Sequence, residues 1–339
     1  MNVSEHFNLI RHNTFGIEAH CRRFVEYGSA DELAEVTRLL ADLPAEPCLH
    51  IGGGSNLLFT KDFDGTILHS TISTFETLDQ GDETLVRAGA GWNWDELVAK
   101  TIGLGLYGLE NLSYIPGEAG ASAVQNIGAY GSEAADTIRA VEAVDLTSGE
   151  KRVFKAEECE YGYRRSVFKT SLRGRYAVTH VHYALNKTFK PNFSYAALAR
   201  EIAARGIAPE RVTAAEVREV VTAVRRAKLP DPQDVGSAGS FFMNPVVSQD
   251  CYAQLKSQHP DITGYPTDGG VKLSAGWLID RAGWKGYRRG DAGVYPHQAL
   301  VLVNYGRATG TDIARLAADI QTDVKAKFGV DIEPEVNFF

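Results

Sequence analysis

The chain has 339 residues, of which 44% are hydrophobic and 23% charged, and this balance excludes a largely disordered protein. Two or three domains are expected at that length. The formal charge of −8 argues against a nucleic-acid-binding protein, which usually carries a basic excess, and no apolar run approaches the roughly 20 residues of a membrane span.

Alternating strands and helices are predicted in the N-terminal part of the chain. Ser29 and Glu32 have the spacing of a capping box before a run with apolar residues at helical intervals. The predicted strands and the second helix are Phe24–Gly28, Cys48–Ile51, Gly65–His69, Thr84–Ala88 and Trp94–Gly103. This order indicates a mixed α and β region with short, parallel-type connections.

A hairpin, a strand and two helices are predicted in the middle of the chain. They lie at Arg139–Leu146 with Lys151–Lys155, at Tyr176–Leu185, at Ala196–Arg205, and after a second capping box formed by Thr213 and Glu216. The last of these helices stops before two prolines, so we place the clearest domain boundary at Leu229–Asp234.

The remaining residues predict a third region with its own elements. Its strands and helices are expected at Ser240–Val247, Tyr252–Gln258, Leu300–Val303 and Ile313–Phe328. The four cysteines are scattered, with no Cys-x-x-Cys pair, so neither a metal site nor a redox dithiol is indicated. Residues 1–13 lack the apolar core of a signal peptide, and a reducing, cytoplasmic location is expected.

Two glycine-rich segments predict a ligand site. Gly52-Gly53-Gly54-Ser55-Asn56 follows a predicted strand, and three glycines let the backbone approach a ligand and point N–H groups at an anion. Ile115–Gly131 alternates small residues with Ser, Gln and Asn, and it is longer than an ordinary connection. Two such loops suit a long, anionic, planar ligand such as a dinucleotide. Neither matches the Walker or Rossmann pattern, so a dinucleotide is expected to bind in a fold other than the Rossmann fold.

Seven motifs, in order along almost the whole chain, resemble those of the UDP-N-acetylenolpyruvylglucosamine reductase family. They are Gly52–Asn56, Ile115–Gly131, Gly162–Lys169, Lys228–Pro232, Gly236–Pro245, Gly276–Asp280 and Glu333–Val336. The segment around Tyr195 is similar to the longer subtype of the family, in which a tyrosine loop closes over substrate. The chain departs from the family at Asn337, where an arginine is usual.

The resemblance implies an α+β fold and a reaction. It implies a FAD-binding domain of the vanillyl-alcohol-oxidase (PCMH) type in two subdomains, 1–70 and 71–230, and a C-terminal α+β substrate-binding domain, 231–339. It also implies NADPH-dependent reduction of UDP-N-acetylglucosamine enolpyruvate to UDP-N-acetylmuramate through non-covalent FAD, for peptidoglycan synthesis. We expect a cytoplasmic monomer that binds neither nucleic acid nor membrane.

The reaction needs groups that stabilise and protonate an enol-type dianion. The resemblance assigns Arg164 to the substrate carboxylate, which a guanidinium can bind in a bidentate manner, and Glu335 to holding or sharing a proton there. A serine is intrinsically a poor acid, and from residue type alone Ser237 and Ser240 are equal candidates for the proton donor. The motif Gly239-Ser240-Phe241-Phe242 favours Ser240.

Further binding residues follow from the same resemblance. The expected FAD contacts are Gly52, Gly53, Gly54, Ser55, Asn56, Gly117, Gly120, Ala121, Ser122, Gln125, Asn126, Gly128, Ala129, Tyr130 and Arg225. The expected substrate contacts are Tyr195, Lys228, Asn244, Tyr265 and Lys272. Lys228 is also expected to increase the acidity of Ser240 through a hydrogen bond or a bridging water.

Two other functions stay open from the residues alone. A flavin oxidase of the same broad fold often attaches its flavin through His or Cys, and neither loop contains one. A non-catalytic nucleotide-binding module would give no reason for Arg164, Ser240 and Glu335 to occur together, and it would purify without colour.

Overall fold

The chain divides into two compact units in this computed structural model, which describes residues 1–41, 46–231 and 234–339. Unit 1 comprises Met1–Phe7, Cys21–Gly53 and Asp64–Arg225, and unit 2 comprises Asn8–His20, Gly54–Phe63 and Arg226–Phe339. Two N-terminal segments therefore cluster with the C-terminal residues. The three-segment division at 70 and 230 stays a prediction, and Pro232 in the expected boundary lies outside the described residues.

The strands of unit 1 form two larger sheets. These strands are β1 (Asn2–Asn8), β2 (His20–Tyr27), β3 (Cys48–Ile51), β5 (Phe63–Ser70), β6 (Phe75–Asp79), β7 (Glu83–Gly89), β10 (Ile138–Asp145), β11 (Lys151–Lys155) and β12 (Tyr176–Asn186), with β8 (Gly128–Ala129) and β9 (Ser132–Glu133) as a short pair. One sheet has the order β1-β2-β5-β3, with β3 and β5 parallel, and the other has the order β11-β10-β12-β7-β6 and is antiparallel.

Helices cover these sheets through buried apolar faces. The helices of this part of the chain are α1 (Ala30–Ala41), α2 (Trp94–Gly103), α3 (Ala119–Gln125), α4 (Ala196–Ala204) and α5 (Ala214–Lys228). Leu33 and Val36 of α1 pack with Val25 and Leu68 of the first sheet, because they lie on one helical face. The second predicted capping box is complete, because Glu216 N donates to Thr213 Oγ1 at 3.2 Å and Thr213 N donates to Glu216 Oε2 at 2.8 Å. In the first, Glu32 N donates to Ser29 Oγ at 3.1 Å, but the Glu32 carboxylate accepts from the Gly28 N–H at 2.7 Å.

Unit 2 has a separate core beneath its longest helix. Its strands and helices are β4 (Leu57–Leu58), β13 (Gly236–Ser240), β14 (Val246–Val247), α6 (Gln249–Gln258), β15 (Gly264–Thr267), β16 (Gly270–Leu273), α7 (Ala275–Arg281), β17 (Arg288–Arg289), β18 (Ala292–Val294), β19 (Val301–Asn304), α8 (Gly310–Phe328) and β20 (Asn337–Phe338). The sheets have the orders β13-β19-β18-β17 and β14-β16-β15. Ile313, Leu316 and Ile320 of α8 are fully buried against them.

Most predicted elements are confirmed within a few residues, but two expectations are wrong. The single strand expected at Ser240–Val247 is instead divided, because the glycine-rich run that ends at Ser240 pairs with β19 as β13, whereas Val246–Val247 pairs with β16 as β14. The second glycine-rich segment is not a continuous loop, since it contains α3. Among the described residues, no helix is both long and apolar enough to cross a membrane.

Candidate active site

The two glycine-rich segments meet inside unit 1. A Cβ atom placed on Gly53 would lie 3.6 Å from the Cα of Gly117, and one placed on Gly52 would lie 3.2 Å from Glu118 Oε2 and 3.7 Å from the Ala121 Cβ. Side chains at these positions would fill the space between the segments. The absence of Cβ atoms therefore brings bare backbone from both segments to one place, as a dinucleotide cradle requires.

The rest of the first segment belongs to unit 2 and needs its third glycine. Gly54 has φ +66, and a Cβ atom there would lie only 2.0 Å from the His12 carbonyl oxygen. After Ser55, the Asn56 side chain donates to the Glu335 carbonyl at 3.3 Å. Asn337 returns the contact, because its side-chain amide donates to the Asn56 carbonyl at 3.1 Å. The residue in place of the family's usual arginine thus holds the end of the first segment.

The short helix α3 explains the small residues of the second segment. A Cβ atom on Gly120 would lie 2.8 Å from the Cβ of Ala90, so only glycine allows this close packing. Ser122 is fully buried, and its hydroxyl bonds to the Ala119 carbonyl at 2.6 Å and to the Tyr183 hydroxyl at 2.7 Å. The Ser122 side chain therefore anchors the helix. Gln125 is the last residue of α3.

Asn126 fixes the turn that follows α3. It adopts a left-handed φ of 48° and is fully buried. Its side-chain amide donates to Glu133 Oε2 at 2.7 Å and to the Gly162 carbonyl at 3.0 Å, and its Oδ1 accepts from the Ala135 N–H at 3.0 Å. Asparagine tolerates this backbone conformation better than most residues, which suits it to the position.

Arg164 lies against the same turn. Its Nη2 donates to the Gly128 carbonyl at 2.8 Å, and its Nη1 lies 3.3 Å from the Asn126 carbonyl oxygen. A Cβ atom on Gly128 would lie 3.1 Å from Arg164 Nη1, so the glycine leaves room for the guanidinium. The structure thus joins the predicted carboxylate-binding arginine to the predicted FAD segment. The neighbouring Arg165 is exposed.

Arg225 adds a second guanidinium to this part of unit 1. Its Nε donates to the Tyr114 carbonyl at 2.8 Å. Burial lowers the pKa of Arg225, Tyr130 opposes that shift, and the nearby charge of Arg164 adds to it. Two arginines close enough to affect each other form a positive region suited to anionic ligands.

Tyr195 lies next to the second glycine-rich segment. Its ring is exposed and meets that of Tyr130 edge to face, with centroids 5.4 Å apart. Asn111 braces this contact, because its amide donates to the Tyr130 carbonyl at 3.0 Å and to the Asn192 carbonyl at 2.9 Å. No sequence motif nominates Asn111, since its role depends on two partners that are distant along the chain.

Ser240 and Glu335 lie on adjacent backbone segments of unit 2. Glu335 N donates to the Phe241 carbonyl at 2.8 Å, and Met243 N donates to the Glu333 carbonyl at 2.9 Å. Ser240 is exposed, whereas Ser237 is 3% exposed and its carbonyl accepts from Thr14 Oγ1 at 2.6 Å. Residue type alone does not distinguish Ser237 from Ser240 as the proton donor, but of the two only Ser240 is accessible to a substrate.

The expected substrate residues of unit 2 occupy three places. Tyr265 and Lys272 lie directly opposite each other in the β15–β16 pair, with Tyr265 exposed. Asn244 accepts from the Ala275 N–H at 3.0 Å and so helps to hold the start of α7. Lys228 is exposed at the end of α5. A diphosphate could meet the Tyr265 hydroxyl and the Lys272 ammonium together.

Two family models match separate parts of the chain. Residues 22–154 match the family described as FAD binding domain, and residues 231–339 match the C-terminal domain of UDP-N-acetylenolpyruvoylglucosamine reductase. The reductase of Burkholderia ambifaria is 48% identical over 331 residues, which are 96% of this chain and 94% of that protein. The reductase of Bacteroides fragilis is 46% identical over 338 residues, 99% of this chain and all of that protein.

A solved structure supports the fold. The crystal structure of the Thermus caldophilus reductase aligns with a TM-score of 0.68 and 24% identity, covering 100% of this chain and 98% of that one. The chain therefore has an α+β fold with a PCMH-type FAD-binding domain and a C-terminal reductase domain. With near-complete coverage by relatives almost half identical to it, the chain belongs to the UDP-N-acetylenolpyruvoylglucosamine reductase family.

Proposed function

We propose that this chain catalyses the NADPH-dependent reduction of UDP-N-acetylglucosamine enolpyruvate to UDP-N-acetylmuramate in peptidoglycan precursor synthesis. The observation that carries the proposal is the meeting of the two glycine-rich segments, with Arg164 bonded to the second, in a chain of this family. The protein is a FAD-dependent oxidoreductase. We further propose that it acts as a monomer in the cytoplasm.

The residues of unit 1 fit FAD. The cradle between Gly53 and Gly117 lacks the Cβ atoms that would fill it, and Arg225 adds a cation beside the second segment. No His or Cys occurs in 52–56 or 115–131, which agrees with a non-covalent flavin. The residues that would hold it are those expected from the sequence, Ala129 and Tyr130 among them. When bound, FAD supplies the hydride transfer from NADPH to the enolpyruvyl β carbon.

Three side chains stabilise the negative charge that develops on the substrate and supply the proton. Arg164 binds the substrate carboxylate, because its guanidinium can pair with both oxygens and stays charged at all working pH values. Glu335 holds or shares a proton at that carboxylate as negative charge develops there. Ser240 donates the proton to the α carbon, so that hydride and proton together saturate the double bond.

The diphosphate and the sugar need contacts of a different kind. Lys272 supplies a positive charge and Tyr265 and Tyr195 supply hydroxyl donors, all of which suit phosphate oxygens. Asn244 supplies an amide to the substrate pocket. Lys228 binds substrate and polarises the Ser240 hydroxyl, which by itself is a weak acid.

Steady-state kinetics test this function. Without oxygen, the purified protein should oxidise more than one equivalent of NADPH per flavin only when the enolpyruvyl substrate is present, with UDP-N-acetylmuramate as the product identified by mass spectrometry. We expect parallel lines in double-reciprocal plots, the pattern of a ping-pong mechanism, and inhibition by excess substrate. The reason is that the sequence shows no separate motif for the nicotinamide nucleotide, so NADPH and substrate would use one pocket in turn. Intersecting lines would exclude the shared pocket, and a lack of product would exclude the function.

A further inference from the structure

His69 lies between two carboxylates next to the first glycine-rich segment. Its Nε2 is 3.1 Å from Glu118 Oε1, and its Nδ1 is 3.5 Å from Glu26 Oε1. The side chains of His69 and Glu118 are each 14% exposed and that of Glu26 is 32% exposed. The three groups therefore form a largely buried chain of alternating charge when the imidazole is protonated, which we call the His69 triad.

The Glu118 carboxylate lies beside the two glycines whose backbone should receive an anion. A Cβ atom on Gly52 would lie 3.2 Å from Glu118 Oε2, and one on Gly53 would lie 3.7 Å from Glu118 Oε1. The carboxylate thus fills the space beside both glycines. A glycine-rich turn that presents N–H groups is suited to phosphate, and a neighbouring negative charge opposes that binding.

The surroundings of His69 favour the imidazolium. Burial of the ring opposes protonation, but the hydrogen bonds and charges of Glu118 and Glu26 outweigh it and raise the pKa of His69 above its usual value. Among the described residues, His50 interacts electrostatically with His69 and Tyr27 with Glu118, and the side chains of His50 and Tyr27 bond to each other at 2.6 Å. Burial and the charge of His69 lower the pKa of His50 to about 4, so His50 is neutral at physiological pH.

We propose that His69, as an imidazolium held between Glu118 and Glu26, neutralises the carboxylate beneath Gly52 and Gly53 and thereby sets the affinity of unit 1 for the phosphate-bearing flavin. This inference rests on the proposed function, because it assumes that the glycine-rich segments receive the phosphates of FAD. His69 needs no contact with FAD. It acts through Glu118 as an electrostatic positioning residue.

A double-mutant cycle on FAD affinity tests the proposal. Apoprotein is prepared for the wild type, His69→Gln, Glu118→Gln and the double variant, and FAD binding is measured by fluorescence quenching. His69→Gln should bind FAD about tenfold to a hundredfold more weakly, the range for one uncompensated charge roughly 6–12 Å from a phosphate at an effective dielectric constant of about 20. Glu118→Gln should bind at least as tightly as the wild type.

The double variant distinguishes charge from architecture. If the unneutralised carboxylate causes the loss, removing it should restore affinity to within about threefold of Glu118→Gln. The loss in His69→Gln should also shrink as salt is raised. Far-UV circular dichroism and thermal melting of each apoprotein confirm that the variants fold.

The pH dependence provides an independent readout. Because protonated His69 favours FAD binding, the wild-type affinity should fall as pH rises through the raised pKa of His69. This fall should vanish in His69→Gln and persist in the control variant His50→Gln, since His50 is already neutral there.

Three results would overturn the inference. They are unchanged FAD affinity in His69→Gln, a double variant as weak as His69→Gln, and a pH dependence that persists without His69. A wild type that still binds FAD and reduces the enolpyruvyl substrate would then leave the proposed function intact. A wild type that binds no FAD would overturn both.

Discussion

The two units differ in how they hold their candidate residues. Among the described residues, all six non-glycine residues with left-handed φ lie in unit 1, and they include Asn126, Tyr130 and Arg164. Such conformations cost on the order of 1–3 kcal/mol each and persist only where the surroundings enforce them. In unit 2, Ser240, Lys228 and Tyr265 are exposed on strand or helix backbone, and none of these three has a left-handed φ.

This difference suits two kinds of ligand. Unit 1 presents a rigid backbone cradle, in which side chains such as Asn126 and Arg164 are bonded to nearby carbonyl groups. A tightly held cofactor benefits from such preorganisation. Unit 2 presents accessible side chains, as a substrate that enters and leaves in each turnover requires. Changes to the cradle residues of unit 1 should therefore affect cofactor binding, whereas changes to Tyr195 in unit 1 and to the accessible residues of unit 2 should affect reaction with substrate.

Ser240→Ala should have the largest effect and leave the cofactor untouched. Reduction of the flavin by NADPH needs no proton from Ser240, so its rate should stay near that of the wild type. Reoxidation by the enolpyruvyl substrate should slow by roughly 10²-fold or more, the contribution of a positioned acid. Stopped-flow absorbance measures both steps on one sample.

Ser237→Ala is the matched control for that experiment. Ser237 lies three residues before Ser240 in the same strand and is buried. The melting temperature of the Ser237→Ala variant should therefore be measured together with its rates. Neither half-reaction should change strongly. An equal loss in both variants, or normal reoxidation in Ser240→Ala, would remove Ser240 from the role of proton donor.

The fold was more predictable from sequence than the arrangement of the site. Local patterns suffice for α1 and α2, because capping residues and apolar spacing act within a few residues. They fail for β13, since Gly236–Ser240 has no apolar alternation and becomes a strand only by pairing with β19. The approach of Gly53 to Gly117, and of His69 to Glu118, depends on tertiary packing that no local pattern encodes.

Two buried asparagines, one in each unit, test whether the units serve different ligands. Asn126 in unit 1 and Asn304 in unit 2 each make three side-chain hydrogen bonds to nearby groups. Replacing either by alanine leaves buried partners unsatisfied and should lower the free energy of unfolding by about 2–4 kcal/mol. Denaturation of both apoproteins measures this loss.

Only Asn126→Ala should also weaken FAD binding, since only Asn126 shapes the second glycine-rich segment. Titration of the folded apoproteins with FAD provides the comparison. If Asn304→Ala lost as much FAD affinity as Asn126→Ala, the loss would result from reduced stability and not from a change in the cradle.

Tyr195→Phe and Lys272→Ala should each weaken binding of the UDP substrate. Lost hydroxyl or charged bonds to phosphate cost roughly 1–3 kcal/mol, or about one to two decades in affinity. The Kd for substrate is measured by flavin absorbance changes, and FAD content should stay at the wild-type level. If Kd is the same in both variants and the wild type, the diphosphate binds elsewhere.

The smallest of the expected effects is a loss of stability of unit 1 in acid, caused by protonation of His50 on unfolding. Its folded pKa of about 4 lies below the unfolded value of about 6.5, so the unfolded state binds more protons between these values. Its contribution to stability is complete above pH 6.5 and is lost as the pH falls towards 4. Allowing for solvent at the half-buried ring, the loss is about 1–2 kcal/mol.

The check is the pH dependence of thermal unfolding in His50→Gln. The decrease in melting temperature between pH 6.5 and 4 should be smaller than in the wild type. Identical decreases in both proteins would assign the acid sensitivity to other groups.

The absorbance spectrum of the purified protein tests whether a non-covalent FAD carries the hydride from NADPH to the enolpyruvyl substrate. The protein should be yellow with one FAD per chain, and acid precipitation should release the colour into solution because the flavin is not covalently attached. NADPH should bleach the flavin band without oxygen, and UDP-N-acetylglucosamine enolpyruvate should restore it. A colourless protein, flavin that stays in the precipitate, or a bleached band that the enolpyruvyl substrate does not restore would contradict the account.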